Sequence, residues 1–208
     1  MRESIESRAA ELGYVLDAAQ LRTVNQLAQL AEELESTLNR PSILKRILFK
    51  KNFPKGLYIW GGVGRGKTFL MDLFYEQIKF SKKKRIHFHR FMQEVHHRLK
   101  DLQGHQNPLQ TIGKDIASET ALLCLDEFHI SDIGDAMIMR NLLEALFRGD
   151  VVIVTTANWV PDRLYEHGLQ RAQFLPTIDL IKSKMSVVNL DAGEDYRLTS
   201  LEKAGVYF

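Results

Sequence analysis

The chain has 208 residues, of which 45% are apolar and 26% charged, and a formal net charge of +2. That length gives one compact core and is short for two ordinary enzyme domains, and the composition excludes a disordered or fibrous chain. No apolar run approaches the roughly 20 residues of a membrane-spanning helix, and Met1-Arg2-Glu3-Ser4-Ile5-Glu6-Ser7-Arg8 leads into no secretory-type apolar stretch. A single cysteine, Cys124, rules out an internal disulfide framework and fits a reducing compartment, so a soluble cytoplasmic domain is expected.

Charge is unevenly spread. Residues 1–35 carry seven acids against three arginines, whereas residues 40–55 carry six bases and no acid. A second basic knot follows at Lys82-Lys83-Lys84-Arg85. Asp17 to Leu38 reads as an amphipathic helix opened by an Asp17/Gln20 capping box, with Leu21, Val24, Ala28, Ala31, Leu34 and Leu38 on one stripe. Pro41 then opens a short basic helix with Ile43, Leu44, Ile47 and Leu48 on its apolar side, and Asn52-Phe53-Pro54-Lys55-Gly56 ends it. Residues 1–55 are thus expected to form a helical arm with a basic linker, ahead of a core over 56–208.

From Gly56 short apolar strands alternate with helices. Strands are expected at Leu57–Trp60, Ile86–His89, Ala121–Asp126, Val151–Thr156 and Ser186–Leu190, and helices near 67–79, 90–102, 108–118, 133–147, 161–167 and 177–184. The unbroken runs Leu122-Leu123-Cys124-Leu125 and Val151-Val152-Ile153-Val154 suit strands covered on both faces. Strands separated by helices imply right-handed crossovers. The expected fold is a three-layer α/β domain with a five-stranded parallel sheet.

Leu57-Tyr58-Ile59-Trp60-Gly61-Gly62-Val63-Gly64-Arg65-Gly66-Lys67-Thr68-Phe69 is a strand, a glycine-rich turn and a helix start. Gly61, Gly66, Lys67 and Thr68 satisfy G-x-x-x-x-G-K-[ST]. Glycines let backbone N–H groups of residues 61–69 converge on phosphate oxygens, and the following helix adds its positive end. Lys67 can reach the β- and γ-phosphates, and Thr68 offers a hydroxyl to Mg²⁺. Downstream, Leu122–Leu125 ends in Asp126 and Glu127: Asp126 is placed to hold Mg²⁺ through water and Glu127 to polarise an attacking water. Only one strand, Ile86–His89, fits between the phosphate-loop strand and this acidic strand in the chain. It is read as the additional strand of the catalytic-glutamate branch of P-loop ATPases, which argues against a small-molecule kinase. Asn158, after Val151–Thr156, could orient the water or touch the γ-phosphate.

The phosphate-loop run, together with His87-Phe88-His89-Arg90-Phe91-Met92, Leu125-Asp126-Glu127-Phe128 and Gly168-Leu169-Gln170-Arg171-Ala172-Gln173-Phe174-Leu175-Pro176, resembles the AFG-one-like family of AAA+ ATPases. Asp195-Tyr196-Arg197-Leu198 and Ala204-Gly205-Val206-Tyr207 extend the resemblance to the last residues. It implies Lys67 and Thr68 as Walker A, Asp126 and Glu127 as Walker B, and Asn158 as sensor 1. It also implies ATP and Mg²⁺ as ligands, and specificity for ATP rests on it; no guanine-reading Asn-Lys-x-Asp stretch occurs. Arg171 matches in chain order an arginine finger acting on a neighbouring copy, with Arg163 and Arg148 as rivals, so a homo-oligomer with shared active sites is expected. Bacterial relatives point to the tubulin-like division protein FtsZ as partner and to peripheral contact at the inner face of the membrane. Mitochondrial ones point to inner-membrane protein quality control. Family chains are longer: only eighteen residues follow Leu190, which leaves no helical lid and no sensor-2 arginine unless Arg197 or a neighbour substitutes.

Three features stay outside this scheme. The basic segments at 40–55 and 82–85 could meet anionic lipid or lie as solvated surface, and neither resembles a nucleic-acid signature. Five of seven histidines fall within residues 87–105; His87 and His89 would share a strand face while His96 and His97 diverge on a helix, a spacing that argues against zinc. Cys124 reads as inert core. The reading is Mg²⁺-dependent ATP hydrolysis coupled to remodelling of a protein partner. Its alternatives are a nucleic-acid-remodelling protein such as a helicase loader, and a nucleotide-gated scaffold with little turnover.

Overall fold

The computed structural model describes residues 2–38 and 53–191. The expected basic helix around Lys45–Lys51 and the segments containing Arg197 and Tyr207 lie outside the described residues. In chain order the elements are α1 (Arg2–Glu11), α2 (Ala18–Leu38), β1 (Gly56–Trp60), α3 (Lys67–Gln77), β2 (Lys83–His87), α4 (Phe88–Asp101), α5 (Pro108–Glu119), β3 (Leu122–Asp126), α6 (Ile133–Arg148), β4 (Val152–Ala157), a 3₁₀ turn (Pro161–Arg163), α7 (Arg171–Lys184) and β5 (Met185–Asn189).

All five strands are parallel, in the order β2-β3-β4-β1-β5. Period-two alternation divides each strand between two covered faces. Leu57, Ile59, Leu122, Cys124, Val152 and Val154 face a cluster that includes Ile5 of α1, Leu27 and Leu34 of α2, and Leu70 and Phe74 of α3. Tyr58, Leu123, Leu125 and Ile153 face the opposite cluster, built from Phe91 of α4, Ile112 of α5, Leu142 of α6 and Phe174 of α7. The fold is the expected three-layer α/β domain. Gly56 lets β1 enter beside β4, because a Cβ there would lie 2.0 Å from the Ile153 carbonyl oxygen.

The Asp17/Gln20 capping box forms in both directions. Gln20 N–H donates to Asp17 Oδ1 at 2.8 Å, and Asp17 N–H donates to Gln20 Oε1 at 3.1 Å. Elsewhere the boundaries differ from expectation. β2 begins at Lys83 and ends at His87, so His87 closes a strand and His89 sits on a helix; they share no strand face. β2 also lies at the sheet edge. The strand that separates β1 from β3 in space is β4, because the chain crosses over before returning to the centre. The helix expected over 161–167 is a single 3₁₀ turn. α7 starts at Arg171 and runs through Pro176, whose missing N–H removes only one ladder bond this near the helix start.

Burial pushes the Cys124 thiol up to about 12, its side chain being fully enclosed in β3. Alkylation at pH 8 is therefore expected only from unfolded chains. Labelling rates in increasing urea should track global unfolding, and rapid modification of the native protein would contradict this packing.

Candidate functional site

The strand order sets three chain segments side by side at the carboxyl edge of the sheet. These are the loop after β1, the acidic end of β3 and the end of β4 between them, the place where open α/β sheets bind ligands. The loop opens a cavity of about 360 Å³ lined by Val63, Gly64, Arg65, Gly66, Lys67, Thr68 and Phe69, with Glu127, Thr156, Ala157 and Asn158 opposite. Gly64 and Gly66 take φ of 86° and 76°, conformations that glycine adopts without a Cβ clash. Gly66 is doubly constrained, since a Cβ there would come within 2.9 Å of Gln20 Nε2. Lys67 Nζ folds back onto the Gly61 and Gly62 carbonyls at 2.7 and 2.6 Å, and Gly61 N–H donates to the Ala157 carbonyl at 3.2 Å.

Asp126 is 1% exposed. Thr68 Oγ1 donates to its Oδ1 at 3.1 Å, Thr156 Oγ1 donates to the same oxygen, and Arg85 Nη2 donates to Oδ2 at 3.1 Å. The second Arg85 nitrogen, Nη1, pairs with Asp72 Oδ1 on α3 at 2.8 Å. Burial raises the Asp72 pKa, and the Arg85 charge opposes that shift. Glu127 takes a left-handed φ of 57°, which turns it out of the strand, and its N–H donates to Thr156 Oγ1 at 3.0 Å. Its carboxylate and the Asn158 amide are exposed at the cavity.

The donor set suits a hard divalent cation. A hydroxyl and a carboxylate meet at the loop's end, both oxygen ligands, while among the described residues no group of three or more His, Cys, Asp or Glu is arranged to hold a metal ion. Magnesium at phosphate sites takes most of its ligands from phosphate and water, so one hydroxyl and one carboxylate suffice.

Several contributors were not legible in the sequence. Tyr14, Leu16 and Gln20 close the far end of the cavity, with the Tyr14 and Phe69 ring centroids 4.7 Å apart. Gln20 Nε2 donates to the Arg65 carbonyl at 3.0 Å. On the other flank Gly62 N–H donates to Asp191 Oδ1 at 2.5 Å, and Arg65 Nε lies 3.8 Å from the same oxygen. Gln20 carried a signal only as a cap, and Arg85 only as part of the basic knot at 82–85, where it pairs with Asp72 and Asp126 instead; Tyr14 and Asp191 carried none.

Arg171 stands apart from this cavity. It is the first residue of α7, not near a helix C-terminus, and its guanidinium donates to the Asp162 carbonyl at 2.5 Å. That acceptor is neutral, and among the described residues no carboxylate forms an ion pair with Arg171. Arg163 instead stacks over Trp159 at 4.2 Å and pairs with Glu166, and Arg148 pairs with Glu144. Of the three arginines, Arg171 alone forms no close ion pair among the described residues, though its charge adds to the Arg163 hydrogen bond in lowering the Glu166 pKa. The histidines disperse: His96 pairs with Asp135 and His97 lies 3.8 Å from Asp101.

The chain is 54% identical over 153 residues to the cell division protein ZapE of Escherichia coli K12, and 45% identical over 167 residues to lactation elevated protein 1 homolog B of Danio rerio. These alignments cover 74% and 75% of the chain but only 41% and 33% of those proteins. Among solved structures it is similar to DnaI, with a TM-score of 0.59 at 16% identity over 87% of this chain and 86% of that one. It is also similar to AMPPCP-bound DnaA from Aquifex aeolicus, with a TM-score of 0.59 at 16% identity over 94% and 55%. At such identities the likeness is one of fold, that of P-loop AAA+ proteins. The sequence profile of the AFG1-like ATPases matches residues 1–208, and the chain belongs to that family.

Proposed function

We propose that this chain binds ATP with Mg²⁺, hydrolyses it, and uses the cycle to rearrange a protein partner. The observation that carries the reading is the meeting of the phosphate loop with the acidic edge: Thr68 and Asp126 in hydrogen-bond contact, with Glu127 and Asn158 facing the loop across one cavity. In this reading the loop amides and the N-terminus of α3 take the phosphate oxygens. Lys67 exchanges its two carbonyl acceptors for the β- and γ-phosphates. Leu16, Tyr14 and Phe69 give the base an apolar, aromatic end to stack on.

Thr68 and Asp126 would hold Mg²⁺, which when bound would supply neutralisation of the charge that develops on the phosphate. Glu127 is the general base, orienting a water in line with the γ-phosphate, and Asn158 fixes that water or the γ-phosphate itself. Arg171 acts on the site of a neighbouring copy; fingers of this kind are worth about 10³–10⁵ in turnover. Its place outside its own cavity, with a neutral carbonyl as hydrogen-bond acceptor, supports that role. Likeness to ZapE, a cell division protein, supports a partner in division, which the family resemblance makes an FtsZ-like protein met from the cytoplasmic side at the membrane. Contact there is proposed to be peripheral; among the described residues no helix is long and apolar enough to cross a membrane. Residues 1–55 are the arm and 56–208 the ATPase core in this reading.

Glu127→Gln is expected to keep ATP affinity within about threefold while lowering steady-state phosphate release by at least about a hundredfold, the scale of a lost general base. Equal turnover in both proteins would reject the base assignment, and negligible turnover in the wild type beside tight ATP binding would favour the scaffold alternative. Arg171→Ala should likewise bind ATP and fail to turn over. Mixing the Arg171→Ala and Glu127→Gln chains should restore activity, since an intact Glu127 then meets an Arg171 from the neighbour; a mixture as inactive as its components contradicts a shared site.

A further inference from the structure

We propose that a second cavity, on the β2 side of Asp126, is an oxyanion site that receives the inorganic phosphate split from ATP; the inference rests on the hydrolysis reading above. The cavity measures about 360 Å³ and is lined by Lys84, Arg85, His87, Arg90, Glu94 and Asp126, together with Ile86. It flanks the same strand end as the nucleotide cavity. Asp126 lines one, while its neighbours Glu127 and Thr156 line the other. In register, His87 of β2 stands directly opposite Asp126 of β3.

The charges of this lining separate into spent and unspent groups. Lys84 is paired with Glu94 at 2.7 Å. Arg85 gives Nη1 to Asp72 and Nη2 to Asp126, but its Nε is buried with no hydrogen-bond partner. A buried donor without an acceptor carries a desolvation cost that an arriving oxygen would relieve. Arg90 is exposed and, among the described residues, has no partner at all. It occupies the first turn of α4, whose N-cap His87 makes no side-chain capping bond, so the first amides of that 14-residue helix also lack a side-chain acceptor. The residues that carry the free guanidinium, the orphaned guanidinium N–H and the uncapped helix start thus line one cavity. Lys84 is matched by Glu94 and Arg85 is shared between Asp126 and Asp72, which leaves Arg90 as the one cation of the lining without a carboxylate among the described residues.

That combination selects a compact anion with several acceptor oxygens, because guanidinium groups bind tetrahedral oxyanions through paired N–H donors. Hydrolysis releases such an anion on the other side of Asp126, and the mouth of the nucleotide cavity is then still filled by ADP. A receiving site on the opposite flank gives the cleaved phosphate a place to leave to. It also gives the His87-Phe88-His89-Arg90 run a role that the nucleotide cavity does not supply.

The test uses the full chain saturated with AMPPCP, so that the phosphate loop and its γ-position are filled before inorganic phosphate is titrated by calorimetry. Phosphate should bind the AMPPCP-loaded wild type. Arg90→Ala should weaken that binding at least tenfold with AMPPCP affinity unchanged, and Arg90→Lys should recover part of it. In steady-state assays, added phosphate should inhibit the wild type without competing with ATP, and that inhibition should fall away in Arg90→Ala. Phosphate that no longer binds once AMPPCP is present, or that binds Arg90→Ala as tightly as wild type, overturns the proposal. Failure of AMPPCP itself to bind is read in the first titration and counts against the nucleotide reading instead.

Discussion

The arrangement depends on one buried carboxylate. Asp126 lies at the end of an apolar strand with 1% of its surface exposed, and three side chains from three different elements satisfy it: Thr68 of α3, Thr156 of β4 and Arg85 of β2. A buried charge is costly unless paired and fully hydrogen-bonded, so these partners are structural requirements as much as functional ones. Arg85 carries the tie further by holding Asp72, one turn along α3 from Thr68. The phosphate-loop helix and the acidic edge are therefore fixed relative to one another by the protein itself. Groups that must stabilise charge in a transition state work best when so placed in advance.

The loop is also braced from outside the sheet. Gln20, after capping α2, reaches the Arg65 carbonyl, and Asp191, just beyond β5, takes the Gly62 N–H and faces Arg65. The N-terminal helices thus do two things: they cover one face of the sheet, with Ile5, Leu27 and Leu34 against α3 and the strands, and they build the base end of the cavity through Tyr14 and Leu16. Movement of either flank would be felt at the phosphate loop, through Gln20 on one side and through the contacts of Asp191 with Gly62 and Arg65 on the other.

What could be read from the sequence divides along the range of the interaction involved. The phosphate loop, the Asp126-Glu127 pair and the Asp17/Gln20 box are contiguous patterns whose chemistry is local, and they stand where expected. Strand order is not local. Ile86–His89 reads as the additional strand between the phosphate-loop strand and the acidic strand. The crossover through α3 instead carries the chain past two strand positions to β2 at the edge, and β4 comes to stand between β1 and β3. Arg85, Tyr14 and Asp191 gain their roles only from that order. The start of α7 was misplaced for a different reason: the helix was expected from 177, but Gln170 in a left-handed conformation with φ of 58° caps a helix that begins at Arg171 and runs through Pro176. The His-Phe-His run was misread because alternation suggested a strand, while the strand-to-helix change falls between His87 and Phe88.

The most direct measurement is the magnesium dependence of nucleotide affinity in Asp126→Asn compared with wild type, followed by calorimetric titration of ATP with the metal present and with it chelated. If Asp126 serves as the metal-side carboxylate, the wild type should bind ATP at least about tenfold more tightly with magnesium, equivalent to about 1.4 kcal/mol, and the variant should lose that difference while still binding the metal-free nucleotide. An unchanged magnesium effect in the variant would contradict the account.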